Sequence, residues 1–358
     1  MRAAVAYEAG KPLAVEDLPT PAVGPRDVLV RVGASGICHT DLSAVGGKTP
    51  TPFPFVPGHE GCGVVEEVGA EVRRVRPGDR VLAAVAPACG ACWWCVNGTS
   101  NLCQVNHEAS GTPRWALGDG RMAPSLCGCG TFAEAMVVHE ASVVPVTTDL
   151  PDEELALLGC GVTTGLGAAL NTAGVTPGST AAVIGCGGVG QSVVQGARIA
   201  GAAVIVAVDP AAPRREAALA VGATHAFDPA ATDVVGEVRA LTGGRGADFT
   251  FEVVGRSELV VQAIDMARRG GTVTIVGMPP VDDVLSLPLF PTVFSAKRLV
   301  GSVVGDAQIL RDFPRFIALA ESGRLDLGAM VSRRIGLDEI NDGLAALEHV
   351  KGVRTVVV

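Results

Sequence analysis

The run Thr180-Ala181-Ala182-Val183-Ile184-Gly185-Cys186-Gly187-Gly188-Val189-Gly190 decides how the second half of the chain folds. Its first five residues suit a short buried strand, and glycines at G-x-G-x-x-G spacing follow at once. A helical segment then runs to Ala200, and the apolar stretch 203–208 ends at Asp209, nineteen positions beyond Gly190. A glycine pattern alone says little. A strand before it, a helix after it and an acidic residue at that distance make it a dinucleotide fingerprint. Gly185 makes the tight turn, Gly187 lets a pyrophosphate approach the backbone, and Gly190 lets helix and strand pack closely. Gly188 and Val189 open the helix, whose free N–H groups suit phosphate. Asp209 would accept hydrogen bonds from a ribose 2′-hydroxyl. A 2′-phosphate would meet its charge, and no Arg or Lys directly follows it, so the expected cofactor is NAD rather than NADP.

Working outward, strands are expected at 222–227, 247–254 and 271–277, with helices at 233–241 and 257–267 between them. This alternation predicts a doubly wound α/β domain over 162–302. The preceding part reads differently. Valine-rich strands at 27–32, 63–68, 80–82 and 131–138 are punctuated by Pro19, Pro21, Gly24, Pro25 and Pro77-Gly78. A mostly β first domain over 1–161 follows, with residues 104–130, rich in Gly, Pro and Ser, expected as a long loop. The last segment, 303–358, has helical stretches at 311–321 and 337–347 and a final strand at 353–358, and is expected to complete the first domain.

The 358 residues carry a net charge of -9, which disfavours a nucleic-acid partner. The most apolar stretch, 202–208, is far short of the ~20 residues of a membrane span. The start lacks the long apolar region of a signal peptide. A soluble cytoplasmic protein is expected.

Ten cysteines remain to be explained. Cys89, Cys92, Cys95 and Cys103 have C-x2-C-x2-C-x7-C spacing, and four thiolates within fifteen residues can close a tetrahedral zinc cage with no open position. Four cysteines also serve iron–sulfur clusters, but the bacterial cluster run is spaced differently and ends in proline, where Gln104 stands here. Cys38-His39-Thr40-Asp41 and Gly58-His59-Glu60 bring a thiol, an imidazole and carboxylates around one loop. With Cys160, from Leu158-Gly159-Cys160-Gly161, the set Cys38, His59 and Cys160 would hold a second zinc whose fourth position is open, as catalysis requires. Cys62, Cys127, Cys129, His139, His225 and His349 are read as packing or surface residues, Cys186 as a small packed thiol, and Trp93 and Trp94 as packing residues of the cage loop.

Taken in order, these motifs, with Gly352-Val353-Arg354-Thr355, resemble the zinc-dependent medium-chain alcohol dehydrogenases over essentially the whole chain. The resemblance implies a GroES-like catalytic domain, a Rossmann domain with the active site in the cleft between them, two zincs per chain, and dimers or tetramers formed through the Rossmann domains. Thr40 would take the proton from a bound alcohol. Asp41 would fix the His59 ring. Glu60 would stand behind the metal and approach it when the open ligand leaves. His39 and Arg354 would contact the cofactor phosphates, and Arg214 would flank the adenosine ribose. Thr164, Val189, Val276 and Met278 would border the nicotinamide. Hydride would pass reversibly between an alcohol and NAD, giving an aldehyde or ketone.

The chain departs from that pattern in two places. Many relatives carry a His three residues after the relay hydroxyl, where Ser43 stands here. Relatives with glutathione-dependent formaldehyde activity carry an Arg four residues after the last cage cysteine, where His107 stands here. Val85 sits where aromatic residues often line the substrate pocket, which suggests room for a bulky or aromatic alcohol. Two other functions compete. One is a thiol-dependent formaldehyde dehydrogenase using mycothiol, to which 157–190 and Arg311-Asp312-Phe313-Pro314 are similar. The other is a non-catalytic protein that binds NAD and zinc.

Overall fold

Strand residues alternate between two faces, so each sheet of this chain has a face to bury. The computed structural model describes the backbone of residues 1–348 and 352–358. The side chains of His107, Glu108 and Glu348, and all of His349, Val350 and Lys351, lie outside the described residues. The chain divides into two compact units. One comprises Met1–Gly161, Gln308–Gly323 and Leu327–Val358, the other Val162–Ala307 and Arg324–Asp326.

The first unit contains strands β1 (Arg2–Val5), β2 (Ala14–Asp17), β3 (Asp27–Gly36), β4 (Glu60–Val68), β5 (Arg80–Ala83), β6 (Pro113–Ala116), β7 (Met122–Pro124), β8 (Ala135–His139) and β9 (Val143–Pro145). Val28 and Val30 on β3 share a core with Val65, Val81, Met136 and Val138 from the neighbouring strands. The short helix His39–Val45 leaves the end of β3 and buries Ala44 and Val45.

The second unit contains β10 (Thr180–Ile184), β11 (Val204–Val208), β12 (His225–Phe227), β13 (Ala247–Glu252), β14 (Ala267–Ile275) and β15 (Arg298–Gly301). They form one parallel sheet in the order β12-β11-β10-β13-β14-β15, the doubly wound order. Ala181 and Val183 pack on one face against Val193 and Ala197 of the helix Gly188–Ile199 and Ala218 of Ala212–Ala220. Ala182 and Ile184 pack on the other against Val234 and Val238 of Val234–Leu241 and Ala263 and Met266 of Ser257–Met266. Each fully buried valine here contributes about 1.5 kcal/mol or more.

The chain returns to the first unit at Gln308, five residues after the start of the expected return segment. It adds the helices Ile309–Glu321 and Ile340–Glu348, and strands β16 (Val331–Ile335) and β17 (Arg354–Val357). The seven-stranded sheet of this unit runs β16-β17-β3-β4-β5-β9, with β8 paired to the other side of β3.

Residues 104–130 are not the structureless loop expected from their composition. They hold the helix Val105–Gly111 and the antiparallel pair β6 and β7. Trp115 of β6 is fully buried, and its Nε1 donates to Ser125 Oγ at 3.0 Å. Tertiary burial here overrides a sequence rich in turn formers. The reading also missed Ala212–Ala220, Leu289–Ser295 and β15. Leu289–Ser295 is only seven residues long and contains Pro291, which weakens its helical signal, and its large apolar residues point outward. Among the described residues, no single helix is long and apolar enough to cross a membrane.

Candidate active site

The end of β3 and the start of β4 place the first functional side chains. Cys38 caps the helix His39–Val45, and its N–H donates to Asp41 Oδ2 at 3.0 Å. Asp41 Oδ1 accepts from the Gly58 N–H at 3.0 Å and from His59 Nδ1 at 2.9 Å. One buried carboxylate thus ties the helix start, the Gly58 turn and the imidazole together. Gly58 has φ +88°, and a Cβ there would lie 2.4 Å from the Phe132 nitrogen, so no other residue fits. That turn delivers His59 and Glu60, both fully buried.

Cys160 follows the one-turn segment Ala156–Gly159, far along the chain, and the fold returns it to Cys38 and His59. Ligand atoms of Cys38, His59, Glu60 and Cys160 all lie within 4.8 Å of one another. Among the described residues, His59 Nε2 is buried with no hydrogen-bond partner. The Cys160 thiol donates to Cys38, which holds Cys38 well below the ordinary thiol range against the opposing effect of burial. Burial opposes charging His59, but Asp41 and Cys160 outweigh it and raise its pKa. Two sulfurs, an aromatic nitrogen lone pair and a carboxylate in one buried spot call for a cation, and this donor set suits zinc.

Glu60 Oε1 accepts from the Gly161 N–H at 2.9 Å, and its other oxygen pairs with the Arg354 guanidinium. Arg354, expected at the cofactor phosphates, is 5% exposed and directs its guanidinium to Glu60. A fully buried carboxylate needs a counter-charge, and Arg354 supplies it. The Gly161 and Arg354 contacts to Glu60 were not anticipated. Glu60 and Arg354 are 294 positions apart, and no local pattern marks such a pair.

Thr40 and His39 are exposed in the first turn of the helix, and Thr40 Oγ1 lies 3.8 Å from Cys38 Sγ. Ser43 is half-buried on the same helix, and Val85 is 9% exposed. In the four-cysteine cluster, the sulfurs of Cys92 and Cys103 are 3.8 Å apart and those of Cys89 and Cys95 3.9 Å. A tetrahedron with arms of roughly 2.3 Å has edges of roughly 3.8 Å, so the cage has the size of a zinc site.

In the second unit the glycine run follows β10 directly. A Cβ at Gly190 would fall 1.8 Å from the Gly185 carbonyl oxygen, so the helix can approach the strand only without a side chain there. No side chain caps the helix Gly188–Ile199, which leaves its first N–H groups to a ligand. Asp209 is 2% exposed. Its Oδ2 accepts from Cys186 N–H at 2.8 Å and its Oδ1 from Ala211 N–H at 2.9 Å. Burial, aided by Asp209, pushes the Cys186 thiol up to about 12, so it is a packed thiol as expected. Arg214 Nη1 lies 3.9 Å from Asp209, and its Nε is buried without a partner. Thr164, Val189 and Val276 are half-buried, and Met278 is 85% exposed.

Residues 24–148 match the alcohol dehydrogenase GroES-like domain and residues 188–322 the zinc-binding dehydrogenase domain. The chain is 40% identical to a putative alcohol dehydrogenase D of Mycobacterium tuberculosis, over 99% of both chains. It is 36% identical to the S-(hydroxymethyl)glutathione dehydrogenase of Paracoccus denitrificans, over 100% of this chain and 99% of that one. Among solved structures, benzyl alcohol dehydrogenase from Acinetobacter calcoaceticus superposes with a TM-score of 0.93 at 30% identity, covering 99% of this chain and 98% of that one. Similarity at this level over the full length, together with both domain matches, means that the chain belongs to the zinc-dependent medium-chain alcohol dehydrogenase family.

Proposed function

We propose that the chain is an NAD-dependent dehydrogenase that moves hydride reversibly between a bulky or aromatic alcohol and the cofactor, giving an aldehyde or ketone. The observation that carries this is His59 Nε2, a buried and partnerless nitrogen grouped with Cys38, Cys160 and Glu60. Cys38, His59 and Cys160 would hold a catalytic zinc, and Cys89, Cys92, Cys95 and Cys103 a structural one. When bound, the catalytic zinc supplies a Lewis acid that lowers the pKa of the substrate hydroxyl. Asp41 engages Nδ1 of His59 and so keeps the Nε2 lone pair available to the cluster. Thr40, exposed beside Cys38, takes the substrate proton. Ser43 is no base near neutral pH, so the proton leaves Thr40 by another route. Glu60, neutralised by Arg354, stands in reserve beside the ligands. The modest side chain of Val85 favours substrates with a ring.

On the second unit, NAD supplies the hydride acceptor. The helix N-terminus at Gly187, Gly188 and Val189 would take the pyrophosphate, with His39 as a further phosphate contact. Asp209 keeps lone pairs free for the ribose hydroxyls, beside Arg214. Thr164, Val189, Val276 and Met278 would border the nicotinamide. A second copy of the chain is expected against β15, since Leu289, Phe290, Val293 and Phe294 are 64–80% exposed near that sheet edge. Ten free cysteines suit the reducing cytoplasm.

The test is a panel of alcohols and aldehydes followed by NADH absorbance, with metal analysis of the same sample. Two zincs per chain and turnover of aromatic alcohols with NAD are expected. A single zinc with no turnover of any alcohol would overturn the reading. The similarity to a glutathione-dependent enzyme favours one rival, a thiol-dependent formaldehyde dehydrogenase. Formaldehyde oxidation that requires added mycothiol would select it.

A further inference from the structure

We propose that the second unit carries a binding site for a small phosphate-bearing anion at the end of its sheet away from the dinucleotide loop. A cavity of about 840 Å³ there is lined by five cationic side chains, Arg239, Arg245, Arg268, Arg269 and Lys297, and by one carboxylate, Asp248. Thr180 and Ala267, also in its wall, are the first residues of β10 and β14. The cavity therefore opens at the amino ends of the parallel strands. The glycine loop leaves β10 at its carboxyl end, where doubly wound sheets bind their cofactors. Five strand residues separate the two ends by roughly 16 Å, so one ligand phosphate cannot serve both.

Among the described residues, the charges around this cavity are not balanced. Arg268 Nε donates to Asp248 Oδ1 at 2.6 Å, and that pair is neutral. The remaining cations meet neutral groups: Arg239 donates to the Asp265 carbonyl at 3.2 Å, Arg269 to the Phe294 carbonyl at 3.4 Å while its guanidinium lies 5.0 Å from the Phe294 ring centre, and Lys297 to the Ile264 carbonyl. A carbonyl accepts a hydrogen bond but cancels no charge. Lys297 is half-buried. Burial pushes its pKa down, nearby Arg239 pushes the same way, and only Asp265 opposes them. Even with Asp265 counted, five cations meet two carboxylates. This occurs in a chain where acidic residues outnumber basic ones 37 to 28.

Guanidinium groups present flat forks of N–H donors that match phosphate oxygens, and here they converge from several elements. The cavity exceeds a monatomic ion and falls in the size range of small-molecule sites. The overall charge of -9 disfavours nucleic acid as the occupant. A polyanion with several oxygens, such as a pyrophosphate group alone or within a nucleotide, satisfies the chemistry.

Isothermal titration of the zinc-loaded enzyme, saturated with NADH so that the cofactor loop is filled, tests this. Pyrophosphate and ADP are titrated separately at low ionic strength. One equivalent of pyrophosphate per chain is expected, with affinity that weakens as salt is raised. Arg245→Glu and Arg239→Ala should each weaken it roughly tenfold or more, the worth of a charge-assisted hydrogen bond, and leave alcohol turnover unchanged. Equal affinities for the two probes would assign the site to free polyphosphate, and tighter ADP to a nucleotide; either result supports it. No binding to the NADH-saturated enzyme, or unchanged affinity in both variants, would overturn it without touching the dehydrogenase reading.

Discussion

Cys89, Cys92, Cys95 and Cys103 come from fifteen consecutive residues, whereas Cys38, His59 and Cys160 are gathered from positions spread over more than a hundred. The local cluster is made of four like ligands, with two sulfur pairs 3.8 and 3.9 Å apart. The distributed cluster is buried except at half-buried Cys160, mixes sulfur with nitrogen, leaves His59 Nε2 without a partner among the described residues, and keeps Glu60 alongside under the charge of Arg354. A cage closed by its own segment can only stiffen that segment. A site assembled by the whole unit can leave one direction unfilled, because no single loop has to satisfy every ligand. On the proposed reading, the local cluster would serve stability and the distributed cluster reactivity.

The strongest way to break the contrast is Cys160→Ala. The Lewis-acid contribution is several kcal/mol, so alcohol turnover should fall by roughly 10³-fold. Metal analysis should show one zinc fewer per chain, and the unfolding temperature should move little. Turnover close to wild type in this variant would remove the distributed cluster from the chemistry. Asp41→Asn tests the support rather than the ligands. Loss of the charge behind His59 Nδ1 should cost roughly 10- to 100-fold in activity or zinc affinity. Zinc titration and kcat measured together would separate those two losses.

Cys103→Ser probes the opposite side of the contrast. Calorimetry should show a loss of about 3 kcal/mol, while turnover of the protein that remains folded should change by less than tenfold. A large loss of turnover with unchanged stability would reverse the roles assigned to the two clusters. The smallest effect is expected from Ser43→His, which places a base three residues after Thr40. A gain of at most about tenfold near neutral pH, with the rate profile displaced toward acid, is expected if proton exit limits the reaction. An unchanged pH profile and rate would exclude a limiting role for the missing base.

How far the sequence could be read followed the distance over which each feature is built. Gly185, Gly187, Gly190 and Asp209 were legible because a strand, a turn and a helix follow one another without interruption. The cage cysteines were legible by spacing alone. The region 104–130 was not. Its helix and its β6–β7 pair are short, and the pair is held by burial of Trp115 of β6 against Ala3, Val5 and Val56 rather than by residues that favour those shapes. Leu289–Ser295 escaped because it is short and carries Pro291, a residue that argues against a helix.

Residue order alone therefore determined the ligand types, the glycine turns and the alternating strands, all set by local backbone geometry and side-chain chemistry. The folded structure supplied what no local pattern marks: that Arg354 neutralises Glu60, and that five cations line a cavity at the far end of the sheet. These contacts join residues distant in sequence, and they exist only once burial has closed the chain upon itself.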